Sequence, residues 1–198
     1  MEGFKSRNWC KLPYLLVASA ALLRLMTSYP YNFIPVFACI LFFGATRPKR
    51  EFPIPVLTLV GVDIFLTIHR YGYALTGDQA VTWVWYLAVA FLGAGVLRSS
   101  ASVPRVLAAS LLASVSFFLA SNFAVWYAWA LYPHTGRGLA TCYIAALPFF
   151  RNSVISETVF SLLIFGIASS SHAWTNIRWM ETPVFETKTT KDVITWRI

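Results

Sequence analysis

The chain has 198 residues, 58% of them hydrophobic and only 12% charged, and it carries a formal net charge of +8. A soluble domain of ordinary composition has about 25% charged residues, so this deficit excludes a water-soluble globule: much of the surface must face something other than water. The basic balance does not point to nucleic acid, because the Lys and Arg residues fall in short gaps between apolar runs instead of along one amphipathic face; anionic membrane lipid is the expected partner.

A membrane span needs roughly 20 mainly apolar residues. In chain order the candidates are residues 12–28, 33–46, 52–69, 80–97, 106–131 and 152–170. The first is interrupted near its end by Arg24, and the second reaches a useful length only when Tyr31 and Asn32 are counted with it. A further apolar stretch, 138–150, is too short to cross and reads as an interfacial or re-entrant segment before the last span. The expected fold is therefore all-α, a polytopic bundle of six transmembrane helices. It divides into a cytoplasmic N-terminus (1–11), the membrane domain (12–170) and a polar cytoplasmic tail (171–198). Residues 1–20 resemble a signal peptide ending in Ala18-Ser19-Ala20, but the apolar run continues past that tripeptide, so cleavage is not expected.

The gaps orient the bundle. With the N-terminus inside, twelve Lys and Arg residues face the cytoplasm and only Arg24, Arg70, Arg137 and Arg151 lie outside. This is the bias of the positive-inside rule. It predicts a multi-pass protein of the cell inner (cytoplasmic) membrane with both termini cytoplasmic. The eight Trp residues suit a chain anchored at two lipid–water interfaces.

Small residues recur at helical spacing. Ser116, Ala120, Ala124 and Ala128 form a stripe in the fifth span, Ala109 and Ala113 a second pair, and Ala90, Gly93, Ala94 and Gly95 a cluster in the fourth. Such residues let helices approach closely in lipid; tight packing within the bundle and a docking face for another subunit are both open.

Polar residues inside spans are costly and mark function or pairing. The topology places Arg24, Asn32, Asp63, Asn122, Trp126, Arg151 and Glu157 at one depth, towards the outer side. One reading is a pocket open to the outside, lined by Arg24, Asn32, Asp63, Asn122 and Glu157, with Phe33, Trp126, Tyr132, Tyr143 and Phe149 as apolar walls. The other is internal neutralisation, in which Asp63 or Glu157 pairs with an arginine and holds the bundle together. No GxSxG, HExxH or P-loop motif occurs. Cys10, Cys39 and Cys142, and His69, His134 and His172, are too scattered for a metal or haem motif. Neither an enzyme nor a cofactor is expected.

Several blocks together resemble a family. They are Arg24 with Asn32-Phe33-Ile34-Pro35-Val36 and Leu41-Phe42-Phe43-Gly44-Ala45, and Val62-Asp63. Ser121-Asn122-Phe123-Ala124-Val125-Trp126 follows, then Tyr132-Pro133-His134-Thr135, Gly138-Leu139, Cys142-Tyr143, Leu147-Pro148-Phe149-Phe150 and Phe165-Gly166. Over residues 12–168 the chain looks like an uncharacterised family of bacterial membrane transport proteins. That family is similar in size and topology to the S components of energy-coupling factor transporters. The likeness implies a small-molecule substrate captured from outside, and a transmembrane coupling subunit with ATPases as partner. It departs from many S components in the first span, where Ala18, Ala20 and Ala21 lack the Ala-x-x-x-Ala spacing used for docking. The resulting expectation is a substrate-binding subunit of an uptake transporter. In it Asn32, Asp63 and Asn122 hydrogen-bond the solute, Trp126 and Tyr143 pack on it, the 132–150 loop caps it, and Arg24 and Glu157 set the charge. The alternative is a non-catalytic structural or assembly subunit of a larger membrane complex. A lipid-modifying enzyme would need paired acids or a metal site, and the sequence offers neither.

Overall fold

The computed structural model describes residues 11–26 and 33–170, and every described element is helical. There are six helices: α1 Leu12–Leu25, α2 Val36–Thr46, α3 Pro53–Phe65, α4 Gln79–Leu92, α5 Val103–Ala128 and α6 Gly136–Ser170. A short helical turn, Lys49–Glu51, leads into α3. Proline stands in the first turn of α1, α3 and α5, where a missing N–H costs nothing because that donor has no intrahelical partner. Two wide π-helical turns, Leu66–Arg70 and Gly93–Leu97, continue α3 and α4.

Four stretches are long and apolar enough to cross a membrane: Lys49–Arg70, Gln79–Leu97, Val103–Ala128 and Gly136–Ser170. Only 28% of each apolar window is buried within the protein. Large side chains such as Leu15, Leu57, Val84, Leu112, Leu119, Ile144 and Leu163 point outwards. An apolar exterior of this extent is the composition's charge deficit expressed in space, and it suits a lipid surround.

The third, fourth and fifth spans fall close to where the apolar runs put them. The other expectations need correction. The first helix has 14 residues and the second 11, about 21 Å and 17 Å of rise. Neither matches a hydrocarbon core of about 30 Å. The second run is cut short because Phe33–Pro35 is non-helical and Pro35 is the residue that precedes the first turn. The separate re-entrant segment does not exist. Residues 138–150 are the first half of α6, a single helix of 35 residues that contains Pro148. A proline removes one backbone hydrogen bond and bends a helix, yet α6 runs on through Pro148 as one helix. The proposed tail, 171–198, and most of the N-terminal segment lie outside the described residues.

The core is built around α2. Every one of its eleven residues is buried, so it has no lipid-facing side and the other helices enclose it. It crosses α4 at backbone contact distance. A Cβ on Gly44 would stand 2.0 Å from the Ala90 carbonyl oxygen, and one on Gly93 would stand 2.3 Å from that of Leu41. Of the fourth-span cluster, Gly93 and Ala90 thus make the contact while Gly95 faces open space. On α5 the buried face is Val106, Ala109, Ser110, Ala113 and Ser114. The Ser116–Ala128 stripe is only half-buried and ends exposed at Ala128, so of the two sets the Ala109 and Ala113 pair is the more deeply packed.

Candidate functional site

The short helix α2 brings both its ends into the protein, and charged side chains meet them. At the N-terminus, Glu157 of α6 accepts hydrogen bonds from the backbone N–H of Phe37 (2.9 Å) and Ala38 (2.6 Å), and it is 2% exposed. A carboxylate at this position satisfies two donors that a helix start leaves without partners and complements the positive end of the helix dipole. At the C-terminus, Arg98 donates to the carbonyl oxygens of Gly44 (3.0 Å) and Arg47. Arg47 forms a two-pronged pair with Glu51 at 2.8 and 3.2 Å and lies over the Tyr14 ring, while the Tyr14 hydroxyl also donates to Glu51. This second polar cluster, at the opposite end of α2, was not expected from the sequence.

Beside the α2 N-terminus, Arg24 of α1 pairs with Asp63 of α3 at 2.7 Å, and the Tyr86 hydroxyl of α4 donates to the other oxygen of Asp63 at 2.9 Å. Arg24 is also within electrostatic range of Glu157. Both carboxylates therefore have partners within the protein: Asp63 pairs with an arginine, as the reading of internal neutralisation had it, whereas Glu157 is held by backbone N–H groups and not by an arginine within ion-pair distance.

The aromatic and polar residues further along α5 and α6 form a different group. Trp126 donates its indole N–H to the Pro133 carbonyl (3.0 Å), and the His134 ring approaches the Trp126 carbonyl at 3.0 Å. The Thr135 hydroxyl accepts from the Gly138 N–H at 3.1 Å. Gly138 itself comes so near Pro133 that a Cβ would stand 2.0 Å from its carbonyl oxygen. These contacts close the α5–α6 hairpin in the turn that contains the half-buried Tyr132. Tyr143 donates to the Leu119 carbonyl (2.7 Å), and the Cys142 thiol lies 3.6 Å from that of Asn122. Phe33 meets Phe160 ring to ring at 6.4 Å. Trp126 and Tyr143 thus spend their polar atoms on the hairpin, and Asn32 lies outside the described residues.

Between α5 and α6 there is a cleft of about 170 Å³. From α5 it is lined by Ser114, Phe117, Phe118, Ser121 and Asn122, and from α6 by Ala146, Phe149, Phe150 and Ser153. Of the residues expected in the pocket from the sequence, Asn122 and the wall residue Phe149 line it. Arg24, Asp63 and Glu157 are gathered around the α2 N-terminus, and Trp126, Tyr132 and Tyr143 belong to the hairpin. Phe117, in the cleft lining, meets Phe37, whose backbone N–H donates to Glu157, edge to face at 5.1 Å. The expected layer of polar groups is therefore two sites at neighbouring depths, one charged and one neutral.

Sequence reasoning missed Ser114, Phe117, Phe118, Ser121, Phe150 and Ser153. The signal was present as periodicity. Positions 114, 117, 118, 121 and 122, and positions 146, 149, 150 and 153, each follow the three-and-four spacing of one helical face. The second set was invisible while 138–150 was read apart from the last span. Polar atoms in this region are left open: Ser114 is 3% exposed, and its hydroxyl has no hydrogen-bond partner among the described residues. No group of three or more His, Cys, Asp or Glu side chains suited to a metal ion occurs among the described residues.

No curated protein and no solved structure matches the chain. A family model matches residues 4–177, and the chain belongs to that family, described as a family of unknown function (DUF6580).

Proposed function

We propose that this chain is the substrate-binding subunit of a small-molecule uptake transporter, comparable to an S component, seated in the cytoplasmic membrane. All six helices lie within the bilayer in this reading, with α1 and α2 as shortened spans, both chain ends cytoplasmic and the α5–α6 turn outside. The observation that carries it is the α5–α6 cleft, a concave site with aromatic walls, a few convergent polar groups and one buried hydroxyl awaiting a partner. Asn122 lies about 9 Å of helix rise from the end of α5, a depth that suits capture from the outer side. The ligand role thus passes from the charged layer to the cleft, and Arg24, Asp63 and Glu157 act as the bundle's internal ties. No nucleotide-binding motif is present, so energy for uptake would come from a transmembrane coupling subunit with ATPases. The likeness to S components concerns helix number and size, and fold alone does not determine function.

The test is a thermal-shift titration of the purified full chain with fractionated pools of cell extract. A ligand that binds only the folded protein raises the melting temperature, by an amount that grows with the logarithm of its concentration relative to Kd. A pool that stabilises the native chain but not Ser114→Leu, which fills the cleft, supports the proposal. If no pool stabilises the native chain, it fails. The second reading, a structural or assembly subunit, is favoured by the pairing of both intramembrane carboxylates within the protein. It requires that filling the cleft leave every native activity of the host membrane untouched.

A further inference from the structure

We infer that the α5–α6 cleft is built for an uncharged solute of a single substituted ring, an assignment that rests on the cleft being the ligand site. The size sets the first limit. An apolar cavity of about 150 Å³ accepts benzene, so 170 Å³ admits one six-membered ring with one or two small substituents.

The lining sets the second limit. None of the lining side chains is ionisable; the polar ones are three serine hydroxyls and the Asn122 carboxamide. An ion entering such a site would lose its hydration with no counter-charge to replace it, which is far costlier than burying a neutral polar group that finds a hydrogen bond. The nearest intramembrane charges do not help. Asp63 is taken by Arg24 and Tyr86, Glu157 by the α2 backbone, and neither carboxylate is in the lining.

The walls set the third. Phe118 and Phe150 lie 4.4 Å apart at a tilt of 31°, with Phe117 also in the lining. Rings of this kind favour offset or edge contacts with another ring. The Ser114 hydroxyl, buried and without a partner among the described residues, selects a substituent that can donate or accept one hydrogen bond, as an amide, hydroxyl or ring nitrogen does. A polar group left unpaired in a buried site penalises any ligand that cannot meet it.

The experiment compares near-isosteric probes on the full chain in lipid nanodiscs, read by thermal shift and calorimetry. Benzamide is neutral, benzoate is its anion counterpart and benzamidine its cation counterpart; acetamide lacks the ring. Benzamide is expected to bind and the other three are not. Ser114→Ala keeps the space and should weaken benzamide about tenfold, the worth of one hydrogen bond to a buried group. Ser114→Leu should abolish binding, and Ser153→Leu blocks the same space from α6 should the first variant not fold. Equal or tighter binding of benzoate or benzamidine overturns the inference, as does a benzamide signal that survives both leucine variants. If extract pools stabilise the native chain and Ser114→Leu removes the effect while benzamide is inert, the ligand class falls and the transport reading stands. If neither extract nor probe binds, both fall.

Discussion

Glu157 shows how one buried side chain can look like a site and act as a tie. In a bilayer an unmet backbone N–H has no water to turn to, and α2 begins within the bundle. Two oxygens on Glu157 answer two such donors, Phe37 and Ala38. Glutamine keeps one acceptor and presents an NH₂ to the other donor. Glu157→Gln should therefore destabilise the protein by about 1–3 kcal/mol, the cost of a buried group left unsatisfied, and Glu157→Ala, which abandons both donors, should cost more. Thermal melts in detergent would order the variants native, Gln, Ala. Equal melting temperatures for all three would remove Glu157 from the role of cap. The sequence made the presence of a buried acid legible, since Glu157 follows Arg151 in an apolar run, but not its partner. The donors lie about 120 positions away, and no local pattern encodes a contact of that separation. Asp63 was more readable, because Arg24 stood at matching depth in a neighbouring helix; its second partner, Tyr86, gave no sign among so many aromatics.

Helix α2 sets the architecture by being too short and wholly enclosed. An 11-residue helix with no exposed face depends on its neighbours, and its closest neighbour is α4. Gly44 meets the Ala90 carbonyl and Gly93 meets that of Leu41, so each helix offers a glycine where the other offers backbone. No side chain can give way there, because the opposing atoms are main chain. Gly44→Ala and Gly93→Ala should each destabilise by at least the 1–3 kcal/mol typical of overpacking. Gly61→Ala in α3 and Gly95→Ala in the π-helical turn that follows α4, which have nothing within 4 Å of the added Cβ, serve as controls and should melt like the native chain. If all four behave alike, the close crossing is not what holds α2. The fourth-span cluster of small residues announced such a contact, yet composition could not say that Gly93 makes it and Gly95 does not. The widened π-helical turn at Gly93–Leu97 shifts the face, and the apolar pattern does not reveal that turn. Likewise the short apolar stretch 138–150, set apart because it could not cross alone, is continuous with the last span, because α6 runs on through Pro148.

At the scale of the molecule the charges sort to the two ends of the bundle. Arg98 at the end of α4 reaches the carbonyls at the end of α2, and Tyr14 at the start of α1 reaches Glu51 before α3. These bonds place the start of α1, the end of α2, the start of α3 and the end of α4 on one face, together with Arg47, Lys49 and Arg50. The first turn of α5 adds Arg105, which donates to Ser99 of the α4–α5 connection, to the same face. The opposite ends carry Arg70 and Arg137. The contrast was readable from the gaps alone, whereas the number of true spans was not, since α1 and α2 fall short of a bilayer and α6, about 52 Å by its rise per residue, exceeds one. If basic residues stay cytoplasmic, Arg50 lies inside, and Leu75, between α3 and α4, lies outside together with Leu131, between α5 and α6. In a background with the native cysteines replaced by alanine, single cysteines at these positions should divide cleanly. A membrane-impermeant maleimide should label Leu75→Cys and Leu131→Cys on intact cells, and Arg50→Cys only after lysis. Labelling of Arg50→Cys on intact cells would invert the bundle and turn the cleft's nearer end towards the cytoplasm. Capture from outside would then be untenable, while the cleft's preference for a neutral ring, which depends only on its lining, would be unaffected.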